Sequence, residues 1–199
     1  IMKSAGSVMF AMQLGQALGK LSEEVLSAGD IGLPIFKEPR PAFVAQNLAA
    51  LVDSLEEDSD QVYFYFVIRE LAHARLFKQS KWLRDYTVNL ITSYAREISI
   101  DNSRIIEMSE NFDPSEIGNI QKAFESGALI APRTPSQTIA LERIETVLAL
   151  IEGWVDCVTQ AATVRLPRSA AIAELVRRKR SSGGPAEKTF LTLIGLELR

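Results

Sequence analysis

The chain has 199 residues, 47% hydrophobic and 24% charged, which is enough to bury a sizeable core. A formal charge of −3 and an isoelectric point near 5.4 exert no general pull on nucleic acid, and no apolar run approaches the roughly 18 residues of a membrane span. Cys157 is the only cysteine, which excludes an internal disulfide and fits a cytoplasmic location.

The sequence opens at Ile1 without the layout of a secretory signal and reads as an excerpt of a longer chain. Ser4 to Leu26 is rich in small residues. Leu14, Leu18, Leu21 and Val25 fall on one helical face, and Gly15 and Gly19, four apart beside it, suggest close packing on a neighbour. Ala28-Gly29-Asp30 is expected to stop this helix. The run from Ile31 to Pro41, with Pro34, Pro39 and Pro41, must be looped or extended. Ala42 to Gln46 is a candidate short strand, and Asn47 to Leu55 resumes a helical pattern. Glu56 to Asp60 is an acidic turn with an N-cap at Ser59 or Asp60, followed by a long helix to about Lys78.

Another helix is expected from about Lys81 to Glu97, leading into Ile98-Ser99-Ile100-Asp101. Ser103 to Gly127 reads as shorter helices broken at Asp113-Pro114. After the loop marked by Pro132, Thr134 and Pro135 comes a strong helix from Ser136 to about Arg165. Leu141, Ile144, Leu148, Ile151, Val155 and Val158 recur along it at helical spacing. Leu166-Pro167 ends it. A basic helix, Ser169 to Arg180, precedes the loop Ser181 to Gly184 and a last helix from Pro185 to Ile194, stopped by Gly195. The whole is mainly α with at most a few short strands. It reads as one domain with an N-terminal part (1–60), motif-bearing helices (61–165) and C-terminal helices (166–199).

The chemistry concentrates on two of these helices. In Val67-Ile68-Arg69-Glu70-Leu71-Ala72-His73-Ala74-Arg75-Leu76-Phe77, Arg69 and His73 lie one turn apart with Glu70 on the flank. This nearly matches the H-E-x-x-H helix of zinc hydrolases, with arginine in place of the first histidine. The neighbours Tyr63, Phe66, Val67, Ala74 and Phe77 are apolar, and charge buried among them must be paired or ligated. The later segment Thr146 to Val158 offers Glu152 and Asp156 one turn apart, with Gly153 between them leaving room for another helix or a ligand.

Two readings follow from spacing. Zinc hydrolases need two histidines, a glutamate base for the bound water and a third ligand from a later helix. Here Glu70, His73 and Glu152 supply the base, one histidine and the later carboxylate. Alternatively, Glu142, Glu145, Ala149, Glu152 and Asp156 form one stripe, as on the solvated face of an amphipathic helix, and His73 is a hydrogen-bonded core residue. Arg177-Arg178-Lys179-Arg180 is explained by solvation and the helix dipole. The Ser181 to Gly184 loop lacks a lysine and a serine or threonine at the offsets of a P-loop, and Trp82, Trp154 and the phenylalanines read as core.

Arg69 to Phe77, Trp82-Leu83, Thr134-Pro135-Ser136-Gln137, Glu152-Gly153-Trp154-Val155-Asp156, Arg165-Leu166-Pro167 and Gly183 to Glu187 through Gly195 to Leu198 carry a resemblance. Together with Gly15 to Gly19 and Leu33-Pro34, they make nearly the whole chain resemble the DUF2342 family. That bacterial group is classed as zincin-like metallopeptidases or hydrolases and is linked by name to coenzyme F420 biosynthesis. The resemblance implies a zincin-like helical domain acting as a metal-dependent hydrolase on a peptide or small-molecule substrate; charge and hydropathy indicate no nucleic acid or membrane partner, and a homo-oligomer is left open.

It also implies Glu70 as general base, His73 and Glu152 as zinc ligands, and Asp156 as a further ligand or a partner one turn behind them. Arg69 departs from the pattern. Its fixed charge and five donors match carboxylates and could stand in for the metal. On that alternative Arg69 pairs with Glu152 or Asp156, His73 bonds Glu70, and the protein is a non-catalytic binding or scaffolding member. If a metal is kept, Arg69 instead polarises a substrate carbonyl or binds a carboxylate.

Overall fold

The computed structural model describes residues 2–34, 36–55, 59–98 and 132–183. The described part is helical: α1 Met2–Glu24, α2 Ala45–Asp53, α3 Ser59–Gln79, α4 Lys81–Arg96, α5 Pro135–Ala162 and α6 Ser169–Ser182. The expected acidic residues 56–58, the helices between Ser103 and Gly127, and the last helix from Pro185 lie outside it. Among the described residues, no helix is long and apolar enough to cross a membrane.

Two compact units divide the chain. The first comprises residues 1–24, 93–139 and 184–199. In it Thr134 and Gln137 form a reciprocal cap at the start of α5: Gln137 N donates to Thr134 Oγ1 at 3.1 Å and Thr134 N to Gln137 Oε1 at 2.9 Å. Pro135 then occupies the first helical position, where its missing N–H costs nothing. Glu97 accepts from the hydroxyls of Ser136 and Thr134, each at 2.6 Å, and these bonds hold its carboxyl below the ordinary value. On α1, a Cβ built at Gly15 or Gly19 would meet nothing within 4 Å among the described residues.

The second unit, residues 25–92 and 140–183, carries the residues of interest. Leu48 and Val52 of α2, Val62, Tyr65 and Phe66 of α3, and Ile172, Ala173 and Val176 of α6 make one buried apolar cluster with Leu26. The i, i+3, i+4 spacing in each helix turns these side chains to a common interior, and each large one so buried contributes about 1.5–3 kcal/mol. Tyr65 and Phe66 meet edge to face with ring centroids 6.2 Å apart. On α5 the buried apolar positions are Leu141, Ile144, Val147, Ile151 and Val155. Their register follows the expected stripe, with Val147 taking the place foreseen for Leu148.

α1 ends at Glu24, before the expected stop, because the chain turns at once: Leu26 N donates to the Asp30 carboxylate at 3.0 Å and Asp30 N to the Ser27 carbonyl at 3.2 Å. The expected strand at Ala42 to Gln46 reduces to one antiparallel bridge, Ser27 with Phe43, since α2 begins at Ala45. Its backbone bonds, Ala28 N to Ala42 O and Val44 N to Leu26 O, both 2.9 Å, pinch the proline-rich run into a closed loop. Gly32 in this loop has a φ of 67°, a left-handed conformation that favours glycine.

Two further expectations are corrected. Trp82 is 68% exposed and Trp154 39%, so neither tryptophan is core, and Phe64 is half exposed. Ser181 and Ser182 belong to the last turn of α6 rather than to a loop.

Candidate functional site

α3 reverses the usual pattern by burying its charges. Arg69, Glu70 and His73 are 4, 2 and 3% exposed, whereas Val67 and Leu71 of the same turns face outward. Such burial costs several kcal/mol per charge unless each finds partners, and each does. One terminal nitrogen of Arg69 donates to Glu152 and the other to Asp156, a two-armed grip spanning one turn of α5. His73 Nε2 lies 2.8 Å from Glu152 Oε1, and its Nδ1 lies 3.2 Å from the Arg69 carbonyl. Both of these oxygens can only accept, so in each contact the ring is the donor.

Arg180, near the end of α6, completes the cluster. Its Nη1 is 2.5 Å from Glu152 Oε2 and 3.3 Å from Asp156 Oδ1, the same two atoms that Arg69 holds. Sequence reasoning placed Arg180 in a solvated basic run, because a position at a helix end gives no sign of which way a side chain turns. Arg177 and Arg178 do behave as a solvated run, pairing with Glu174 on their own helix. Lys179 instead reaches Asp30 at 3.6 Å.

Glu152 is thus neither bare nor solvated: its side chain is 14% exposed and both oxygens are engaged. Burial pushes its carboxyl upward, but the His73 hydrogen bond and the charges of Arg69, His73 and Arg180 outweigh this and hold it below the ordinary value. The stripe reading holds for Glu142, Glu145 and Ala149, which are exposed, and stops short of Glu152 and Asp156.

Glu70 bonds partners that its place in the motif did not indicate. Its Oε2 accepts from Gly29 N at 2.9 Å and its Oε1 from Ala42 N at 3.1 Å, so it ties both strands of the pinched loop to α3 and does not bond His73. The loop lies against the cluster. A Cβ at Gly29 would fall 2.6 Å from His73 Cγ and 2.8 Å from Glu70 Oε2, and one at Gly32 would fall 3.1 Å from Glu152 Oε1. Only glycine at position 29 lets the backbone approach this closely. Beside it, Gly29, Leu33, Phe36, Glu70, His73 and Phe77 line a small cavity of about 30 Å³, room for a single water.

A family model described as zincin-like metallopeptidase matches residues 1–199. The chain belongs to that family. No curated protein and no solved structure was found to match it. In this zincin-like protein His73 and Glu152 touch, and Arg69 reaches both Glu152 and Asp156.

The donor set does not fit the zinc that the zincin-like family implies. Zinc in a catalytic site takes three open protein ligands, commonly nitrogen-rich. Here the only histidine of the chain points its Nε2 at Glu152, the other Glu152 oxygen is shared by two guanidiniums, and so is Asp156 Oδ1. Among the described residues, no group of three or more His, Cys, Asp or Glu side chains is placed to hold a metal ion.

Proposed function

We propose that this zincin-like protein works without a metal, as a binding or scaffolding protein that keeps the peptidase framework and fills the centre with an arginine–carboxylate–histidine cluster. The observation that carries the reading is the grip of Arg69 on both Glu152 and Asp156, doubled by Arg180. A zinc ion would bring two positive charges to these carboxylates, and two guanidiniums bring the same charge with fixed donors. Arg69 and Arg180 thus answer the two carboxylates of α5 one for one. A dication would have to displace both guanidiniums from the carboxylates.

Within the family we place the chain in the DUF2342 group, on the Arg69-Glu70-Leu71-Ala72-His73 and Glu152-Gly153-Trp154-Val155-Asp156 blocks. A cytoplasmic protein handling a peptide or small molecule suits the acidic, single-cysteine chain.

A second reading retains the hydrolase activity of the family and is favoured by the match over residues 1–199. Under it Glu70 acts as a base and Arg69 binds a substrate carboxylate, which requires Glu70 to release Gly29 and Ala42 and Arg69 to release α5. Hydrolysis of a fluorogenic peptide library, with zinc supplied, separates the two. The metal-free reading expects no turnover above background. Turnover that a chelator removes and zinc restores would establish the hydrolase instead.

A further inference from the structure

The side of α5 turned away from the cluster borders an open groove of 830 Å³, within the roughly 300–1,000 Å³ typical of small-molecule sites. Trp82 and Tyr86 of α4 and Leu150 and Trp154 of α5 line it, and the four are 68, 42, 68 and 39% exposed. Scattered apolar side chains on a surface need no explanation, but large ones gathered around a concavity mark a place of contact.

Two details say what kind of occupant would fit. Gly153 sits in the middle of a 28-residue helix, where glycine costs about 1 kcal/mol against alanine. A Cβ there would meet nothing within 4 Å, so among the described residues no packing demands the glycine; its missing side chain deepens the groove. Arg143 is the only basic or acidic residue lining the groove, and among the described residues it makes no ion pair. A lone cation in an otherwise neutral, aromatic-walled concavity is complementary to one negative charge on an apolar body. Indole and phenol walls favour flat rings, which stack on them in offset or edge-on geometry.

We infer that this groove binds a flat aromatic molecule carrying a single anionic group, with the ring between Trp82, Tyr86 and Trp154 over Gly153 and the anion on Arg143. The site is separate from the Arg69 cluster, and its occupancy does not depend on whether that cluster binds a metal.

Both tryptophans of the chain line the groove, so tryptophan emission reports on it directly. Titration with naphthoate, followed by emission and by calorimetry, is expected to saturate, with naphthylmethanol and decanoate binding more weakly. Arg143→Gln, at an exposed position, is expected to weaken naphthoate about tenfold and leave naphthylmethanol unchanged. Gly153→Leu, which improves helix propensity while filling the floor, is expected to abolish binding of both. No saturable naphthoate binding, equal affinity for naphthoate and naphthylmethanol, or binding unaltered by both variants would each overturn the inference. A preference for decanoate would overturn its aromatic part.

Discussion

Arg180 rests its guanidinium 2.5 Å from the Glu152 carboxylate, on the oxygen that Arg69 also holds from α3. Three helices therefore meet through one acidic side chain, and loss of either arginine leaves negative charge without its full complement. The two losses should differ. Arg69 is buried and Arg180 only partly so, its side chain being 31% exposed. Arg69→Met should cost about 3–5 kcal/mol, as for a broken buried pair. Arg180→Met should cost about 1 kcal/mol once screening is allowed for. Urea denaturation at neutral pH measures both.

Gly29 and Gly153 make a matched pair. Gly29→Ala would force a methyl group against the His73 ring and the Glu70 carboxylate, and should destabilise by about 1–3 kcal/mol. Gly153→Ala meets open space on a helix and should stabilise by about 0.5–1 kcal/mol. Thermal melts of the two variants should shift in opposite directions.

Glu70→Gln tests whether this residue works as a clamp. Each oxygen accepts a backbone N–H, and the amide would turn a donor toward one of those donors. A loss of about 1–3 kcal/mol is expected, with faster hydrogen exchange at Gly29 and Ala42. A residue held only for base chemistry would leave that exchange unchanged.

The depressed Glu152 carboxyl sets an acid limit. Its folded value lies below the ordinary 4.5, so the unfolded chain binds the proton more tightly. Its stabilising contribution is therefore complete above about pH 4.5 and is lost as pH falls through the lower folded value. Stability measured from neutral pH into that range should drop for the natural chain and less steeply for Glu152→Gln.

Much of this arrangement was legible in the sequence, and the illegible parts have physical reasons. The helical period and the proline-rich break gave α3, α4 and α5 to within a few residues, and the one-turn spacings of Arg69 with His73 and of Glu152 with Asp156 placed four members of the cluster. Arg69 was foreseen to pair with either carboxylate, and it holds both. The partner of Glu70 was not foreseen, because backbone N–H groups leave no mark in a sequence; Gly29 and Gly32, two glycines three apart in a loop, were the available hint. Arg180 was missed because it closes a basic run at a helix end, where nothing in the sequence says which way its side chain turns. The tryptophans were misassigned because an apolar residue type does not say whether its groove is filled.

Restoring the histidine is a constructive test. Arg69→His with Arg180→Ala returns two histidines one turn apart and removes both cations from Glu152 and Asp156. This pair should gain a zinc affinity, measurable by calorimetry, that neither the natural chain nor Arg180→Ala alone displays.

The central claim, that two guanidiniums and a histidine do the electrostatic work of a metal at Glu152 and Asp156, is tested most directly by elemental analysis. The chain would be purified without chelator, incubated with zinc and freed of unbound ion. The account predicts a zinc content far below one ion per chain. One zinc per chain, retained through buffer exchange and lost in Glu152→Gln, would contradict it.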